Sequence, residues 1–149
     1  MTSTVRITSR ALDTIGHVVA AHRPTHTETG GILLGHLSGI PEIATAGDPG
    51  PNAVHTPNRF QRDLIHAQRL AADAWLADGT QWIGEWHTHP RSPLVPSTYD
   101  LATYRGLLAR PGLRLPSLVA VIATPAPVAI TAWQVLPTEL RALNISRIE

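Results

Sequence analysis

Hydrophobic positions change their period several times along this chain, and each change marks an element. Val5-Arg6-Ile7 alternates as a short strand does. After Thr8 and Ser9, either of which can cap a helix, Leu12, Ile15, Val18 and Val19 recur at helical spacing until Pro24 stops the run. This helix is expected to cover a sheet. Gly30–Leu37 reads as a strand whose paired glycines suit close backbone approach beside a site. Ser38-Gly39 turns the chain and Ile40–Ala46 returns it. The stretch GDPGPNAVHTPN, Gly47 to Asn58, holds three prolines and two glycines and predicts a long surface loop. Long loops are often functional.

Helical spacing resumes over Phe60–Asp78, with Leu64, Ile65, Ala71, Ala72, Trp75 and Leu76 in phase and Gly79 as the stop. Gln81–His87 is bulky and strand-like, and Pro90–Pro96 is a proline-rich connection to a helix from about Thr98 to Ala109, which Pro111-Gly112 breaks. Leu118–Ala123 is a continuous apolar run, as a buried strand requires, and Val128–Leu136 alternates after a Pro125-Ala126-Pro127 turn. The tail after Pro137 is ambiguous. We find no repeat, linker or low-complexity segment. The elements predict an α/β (α+β) fold, a mixed sheet with about three helices packed on it. The four tryptophans are expected mostly in the core or covering the sheet, with Trp86 able to wall a site.

A length of 149 residues suits one domain, 1–149, with a sizeable core. Formal charge is +1 and 15% of residues are charged, so there is no basic field to drive binding to nucleic acid or a membrane surface. The absence of cysteine removes disulfides, a thiol nucleophile and thiolate ligands together, so any metal must use His, Asp or Glu. The N-terminal MTSTVRITSR has no apolar core and no apolar run approaches 18 residues. We therefore expect no signal peptide, no membrane span and a cytoplasmic location.

Candidate chemistry concentrates in Trp82–Asp100, WIGEWHTHPRSPLVPSTYD. Side chains at i and i+2 of a strand point to one face, so His87 and His89 can close on one ion. Eleven residues after His89, Asp100 lies where a helix begins and can return a carboxylate to them. Two His and one Asp are the number of protein ligands a catalytic zinc site uses while keeping a fourth position for water. The histidines at 17, 22, 26, 36, 55 and 66 fit no ligand spacing and are expected in surface or packing roles.

His87-Thr88-His89-Pro90 followed by Ser97 and Asp100 fits H-x-H-x7-S-x2-D, and Glu28-Thr29-Gly30-Gly31-Ile32-Leu33-Leu34-Gly35 is similar to a glutamate-bearing strand of the same family. The chain resembles JAB/MPN-domain metalloproteases of the JAMM type over roughly Val5 to Val135. Its compact bacterial members are most similar, sharing ETGGILLG, a helix start like Arg62-Asp63, and GEWHTHP. The resemblance implies a mixed, partly antiparallel sheet like that of cytidine deaminases. It also implies cleavage of isopeptide bonds to ubiquitin or ubiquitin-like proteins, with Zn2+ held by His87, His89 and Asp100. Glu28 would be the general base and Ser97 a donor to the oxyanion. Several such bacterial proteins accompany E1- and E2-like enzymes in anti-phage systems.

Three points stay open at this level. Ser97-x-x-Asp100 is also a capping box, so Ser97 has a structural reading beside the catalytic one. Glu85 shares strand parity with His87 and His89 and rivals Glu28 as the base, or else orients a histidine. The same motif would also serve a peptidase that processes a sulfur-carrier precursor, and a non-catalytic scaffold is the reading from another class. Asn52, Asn58 and Arg59 lie around the loop expected near a substrate groove, although an ordinary solvated loop explains each of them.

Overall fold

The computed structural model describes residues 3–91, 93–124 and 129–149. In chain order the elements are β1 (Ser3–Thr8), α1 (Ser9–His22), a short 3-10 turn (Arg23–Thr25), β2 (Gly30–His36) and β3 (Glu42–Ala46). They continue with β4 (Val54–Thr56), β5 (Arg59–Gln61), α2 (Leu64–Asp78), β6 (Gln81–Thr88) and α3 (Thr98–Leu108), and end with β7 (Leu118–Ala123), β8 (Ile130–Val135) and β9 (Leu140–Ile148). The strand order is β1-β3-β2-β6-β7-β8-β9, and β9 pairs parallel with β1, so the sheet closes into a barrel. Pairing is mixed as expected: β1 with β3 and β6 with β7 run parallel, whereas the β2 pairs and the β7-β8-β9 run are antiparallel. The Pro125–Pro127 turn and Val128 lie outside the described residues.

The apolar continuity of β7 follows from cover on both faces. Val119, Val121 and Ala123 join Val5, Ile7, Ile43 and the buried face of α1, Ala11, Ile15 and Val19. Leu118 and Ala120 instead meet Tyr104 and Leu107 of α3. α2 packs through Ala67 against Ile32 and Leu34. Thr8 starts α1, its hydroxyl accepting the Ala11 N–H at 3.1 Å.

Three expectations need correction. The region read as one long loop, Gly47 to Asn58, carries β4, which pairs with β5 just beyond it, and the helix expected from Phe60 begins at Leu64. Phe60 and Gln61 belong to β5 because Asp63 caps α2, its two carboxylate oxygens accepting the N–H groups of His66 and Asn52 at 3.1 and 3.0 Å. Trp75, in phase with the apolar positions of α2, is 57% exposed. Trp86 is fully buried in the core, its indole N–H donating to Gly47 O at 2.9 Å.

Two irregularities position the site. Leu33 pairs with Gly84 and Leu34 with Trp82, so Ile83 is an extra residue in β6, a bulge that resets which side chains face the helices α2 and α3. Gly30 pairs with His87 so closely that an added Cβ would sit 2.2 Å from Trp86 O and 3.0 Å from His87 Cα. We expect Gly30→Ala to lose about 1–3 kcal/mol of stability through overpacking. Urea unfolding checks this, and an unmoved midpoint would contradict it.

Candidate metal centre and catalytic cleft

β6 ends at the site. His87 and His89 lie on one side, both nearly buried at 5% and 4% exposure, and the intervening Thr88 turns away to accept the Thr29 N–H at 3.0 Å. The His89 N–H donates to Ala123 O at 2.9 Å, which holds the strand end against β7 beyond the last assigned residue. From the other direction, α3 begins at a capping box. Ser97 Oγ accepts the Asp100 N–H at 3.0 Å, and Asp100 Oδ2 accepts the Ser97 N–H at 2.8 Å.

That same Asp100 oxygen faces the histidines. His87 Nε2 and His89 Nε2 are 3.0 Å apart, and each is 3.2 Å from Asp100 Oδ2. A tetrahedral zinc with bonds of ~2.0 Å holds its ligand atoms about 3.3 Å from one another. The triangle therefore fits such an ion, and its three protein donors leave a fourth direction open. Capping and ligation do not compete here, because one carboxylate oxygen can accept the Ser97 N–H and still present a lone pair. Ser97 keeps its own hydroxyl proton for a further partner.

The outer ring nitrogens of both histidines have partners. His89 Nδ1 lies 2.7 Å from Pro93 O, an acceptor only, so Nδ1 carries the proton and neutral His89 offers Nε2 to a metal. His87 Nδ1 lies 3.2 Å from the hydroxyl of the buried Tyr104. Burial, followed by the charges of Glu85, Asp100 and Glu28, raises the Tyr104 pKa well above its ordinary value, so the phenol stays protonated.

Ionisation in the cluster follows from burial set against mutual attraction. Burial works to raise the pKa of Asp100, but hydrogen bonds from His87 and His89 and from the Ser97 amide win, holding it well below the usual carboxylate range. Burial works against the charged form of His89, yet its bonds to Asp100 and Pro93 raise its pKa. Glu28 is 5% exposed, and burial raises its pKa against the opposing pull of the two imidazoles. A carboxylate oxygen of Glu28 and one ring nitrogen of each histidine lie within 4.8 Å of one another, a looser grouping than the triangle that includes Asp100.

Glu28, Glu85, His87 and Asp100 line one cleft of about 290 Å³, walled by Phe60 and Arg62 on one side and Tyr99 and Tyr104 on the other. The Arg59 guanidinium lies over the Tyr99 ring, 4.3 Å from its centre, and so links β5 to α3. Glu85 shares the cleft as its strand parity predicts, but Arg62 Nη1 meets Glu85 Oε1 at 2.6 Å. Burial raises the pKa of Glu85 and Arg62 opposes that rise. Asn52 and Asn58 serve the hairpin, Asn52 through its N–H to Asp63 and Asn58 through a 3.4 Å contact with Thr56 Oγ1. The one sequence signal for Tyr104 is its spacing of four from Asp100, which puts both on one face of a helix.

A barrel of this topology, with a His-x-His strand end facing a helix-borne aspartate, brings together a candidate metal site. The family description "prokaryotic homologs of the JAB domain" matches residues 14–136, and the chain belongs to that family. It is similar to three curated proteins named CD-NTase/cGAS isopeptidase. The one from Escherichia coli is 32% identical over 90 residues, 56% of this chain and 58% of that protein. The one from Vibrio cholerae is 31% identical over 100 residues, 61% and 64% of the two chains. The one from Pseudomonas aeruginosa is 33% identical over 102 residues, 64% and 62%. The matches thus span about three fifths of those relatives. A solution structure of a protein from Desulfitobacterium hafniense shares the fold, with a TM-score of 0.71 at 20% identity over 98% of this chain and 94% of that one. No helix of the described residues is long and apolar enough to cross a membrane.

Proposed function

We propose that this protein is a zinc-dependent isopeptidase that cuts at the C-terminus of a ubiquitin-like protein, or of a protein conjugated in a ubiquitin-like manner. The observation that carries the reading is the triangle of His87 Nε2, His89 Nε2 and Asp100 Oδ2, with edges of 3.0, 3.2 and 3.2 Å, beside a buried glutamate. The isopeptidase names of its curated relatives support the same chemistry.

Zinc held by His87, His89 and Asp100 would supply an acidified water and a Lewis acid for the scissile carbonyl. The residues do the rest. Glu28, ionised but with a raised pKa, takes a proton from the attacking water and returns it to the departing amine. Ser97 Oγ–H donates to the carbonyl oxygen as charge develops there, a contribution typically worth ~2.7–4 kcal/mol. The modifier's extended tail lies along the cleft beside β5, whose Phe60 and Gln61 line it and whose backbone offers main-chain pairing. E1- and E2-like enzymes would be the source of the conjugate.

The test is elemental analysis of the purified protein together with cleavage of a ubiquitin-like protein fused through its C-terminal glycine to a reporter. Stoichiometric zinc and cleavage abolished by a chelator are expected. Zinc without cleavage of such fusions would overturn the substrate reading, and cleavage that survives the chelator would overturn the metal.

Tyr104 provides a quantitative check on the site. Tyr104→Phe keeps the packing against Leu118 and Ala120 but removes the hydroxyl at His87 Nδ1. Loss of such an outer partner typically costs about 10–100-fold in metal affinity. Competition with a coloured chelator should show a fall of that size with an unchanged apo melting temperature.

A further inference from the structure

Glu28 lies two residues ahead of β2, outside the barrel ladder, so something else must hold the backbone from which its carboxylate projects. On its C-terminal side the holder is β6. Thr29 N–H donates to Thr88 Oγ1 at 3.0 Å, and Thr88 N–H donates to Thr29 O at 2.9 Å. At Glu28 itself the holder is β4. Glu28 N–H donates to Thr56 O at 2.8 Å, and His55 Nδ1 lies 2.9 Å from Glu28 O.

We infer that His55 is a positioning residue for Glu28, its Nδ1–H gripping the Glu28 carbonyl so that the carboxylate is aimed at the histidine pair. The inference rests on the reading of Glu28 as the general base. A carbonyl oxygen only accepts, so the proton is on Nδ1, and the bond persists whether or not Nε2 is also protonated.

The imidazole is itself held from two sides. Its centre is 4.1 Å from that of His22, at the end of α1, and 5.4 Å from that of Phe60 on β5. His22 Nε2 is fixed in turn by Thr27 Oγ1 at 2.9 Å. Phe60 also lines the cleft, so His55 connects the cleft wall to the backbone of Glu28. A histidine that merely filled space would need ring contacts and no aligned donor. This one donates to the main-chain carbonyl of the residue whose placement matters most, and a misplacement of about 1 Å in a reacting group can cost ~10²-fold in rate.

Two substitutions separate donor from ring. His55→Phe keeps the stack between His22 and Phe60 and removes the donor. His55→Asn removes the ring but keeps an N–H at the δ position. With the ubiquitin-like fusion as substrate, His55→Phe is expected to lower kcat about 10- to 100-fold, with KM and zinc content unchanged, and His55→Asn to recover most of that loss. Hydrogen exchange gives a readout without substrate: the Glu28 amide should exchange faster in His55→Phe and not in His55→Asn. The 15N spectrum of the imidazoles should show a protonated Nδ1 on His55. Full activity and protection in His55→Phe, or an equal loss in both variants, overturns the inference. Glu28→Gln in the same assay keeps the failures apart. An active Glu28→Gln sinks the base assignment, whereas an inactive one beside a fully active His55→Phe sinks the grip alone.

Discussion

Asp100→Ala is expected to strip the protein of its metal and its turnover together. Asp100 supplies one corner of the donor triangle through its carboxylate, and the same carboxylate caps α3. Its removal should cost more zinc affinity than the ~10–100-fold typical of losing an outer partner. The pH dependence has a definite sign. In the metal-free protein His89 has a raised pKa, because its bonds to Asp100 and Pro93 outweigh burial. The stability this contributes is fully present below the unfolded value of about 6.5 and is lost as pH rises through the folded one. Zinc needs the neutral ring, so its affinity should climb through that same window. Asp100, held low, contributes stability above its unfolded value of about 3.9 that is lost only as pH falls through the depressed folded value. Thermal unfolding of apo and zinc-loaded protein from pH 5 to 8 reads the His89 and zinc trends, and the Asp100 contribution stays constant across that range. In Asp100→Asn the apo advantage on the acid side should vanish. Full zinc occupancy in Asp100→Ala would remove Asp100 from the ligand set.

The parts of this molecule that were legible in its sequence are those in which local pattern and tertiary role agree. β7 is apolar throughout because helices cover both faces, and α3 announces its start because Ser97 and Asp100 satisfy each other's backbone groups. His87 and His89 share a side because the strand period is two. Elsewhere distant partners decide. β4 and β5 have three residues each, too few for alternation to register, and they lie in or beside a stretch whose prolines and glycines signal a loop. β9 buries Leu143 alone, so its sequence carries little trace of the pairing with β1 that closes the barrel. The bulge at Ile83 is invisible until β2 is laid beside β6. Parity put Glu85 in the cleft correctly, but the Arg62 that occupies it comes from the residue before the cap of α2, 23 positions away. His55 fits no ligand spacing because what it holds is a backbone carbonyl.

Glu28→Gln is expected to keep its zinc and lose turnover by about 10²–10⁴-fold, the range that general acid–base catalysis supplies. Glutamine matches glutamate in shape and leaves the His55 and Thr56 bonds to the backbone in place, but it cannot carry the proton from water to amine. Burial raises the pKa of Glu28, so in the wild type kcat/KM should fall as pH drops through a value above the ordinary ~4.3 of a glutamate. That limb should disappear from the residual activity of the variant. The same physics sets the sign of the stability change. An acid whose folded pKa is raised above its unfolded value costs stability while ionised, so at neutral pH the apo form of Glu28→Gln should melt no lower than the wild type. Glu85→Gln is the control with the opposite logic. It breaks the 2.6 Å pair with Arg62 at the cleft wall, and so should raise KM with kcat within about tenfold. If the two variants exchange these phenotypes, Glu85 is the base, and the carboxylate paired with arginine, not the one that the β4 hairpin holds, carries the proton from water to amine.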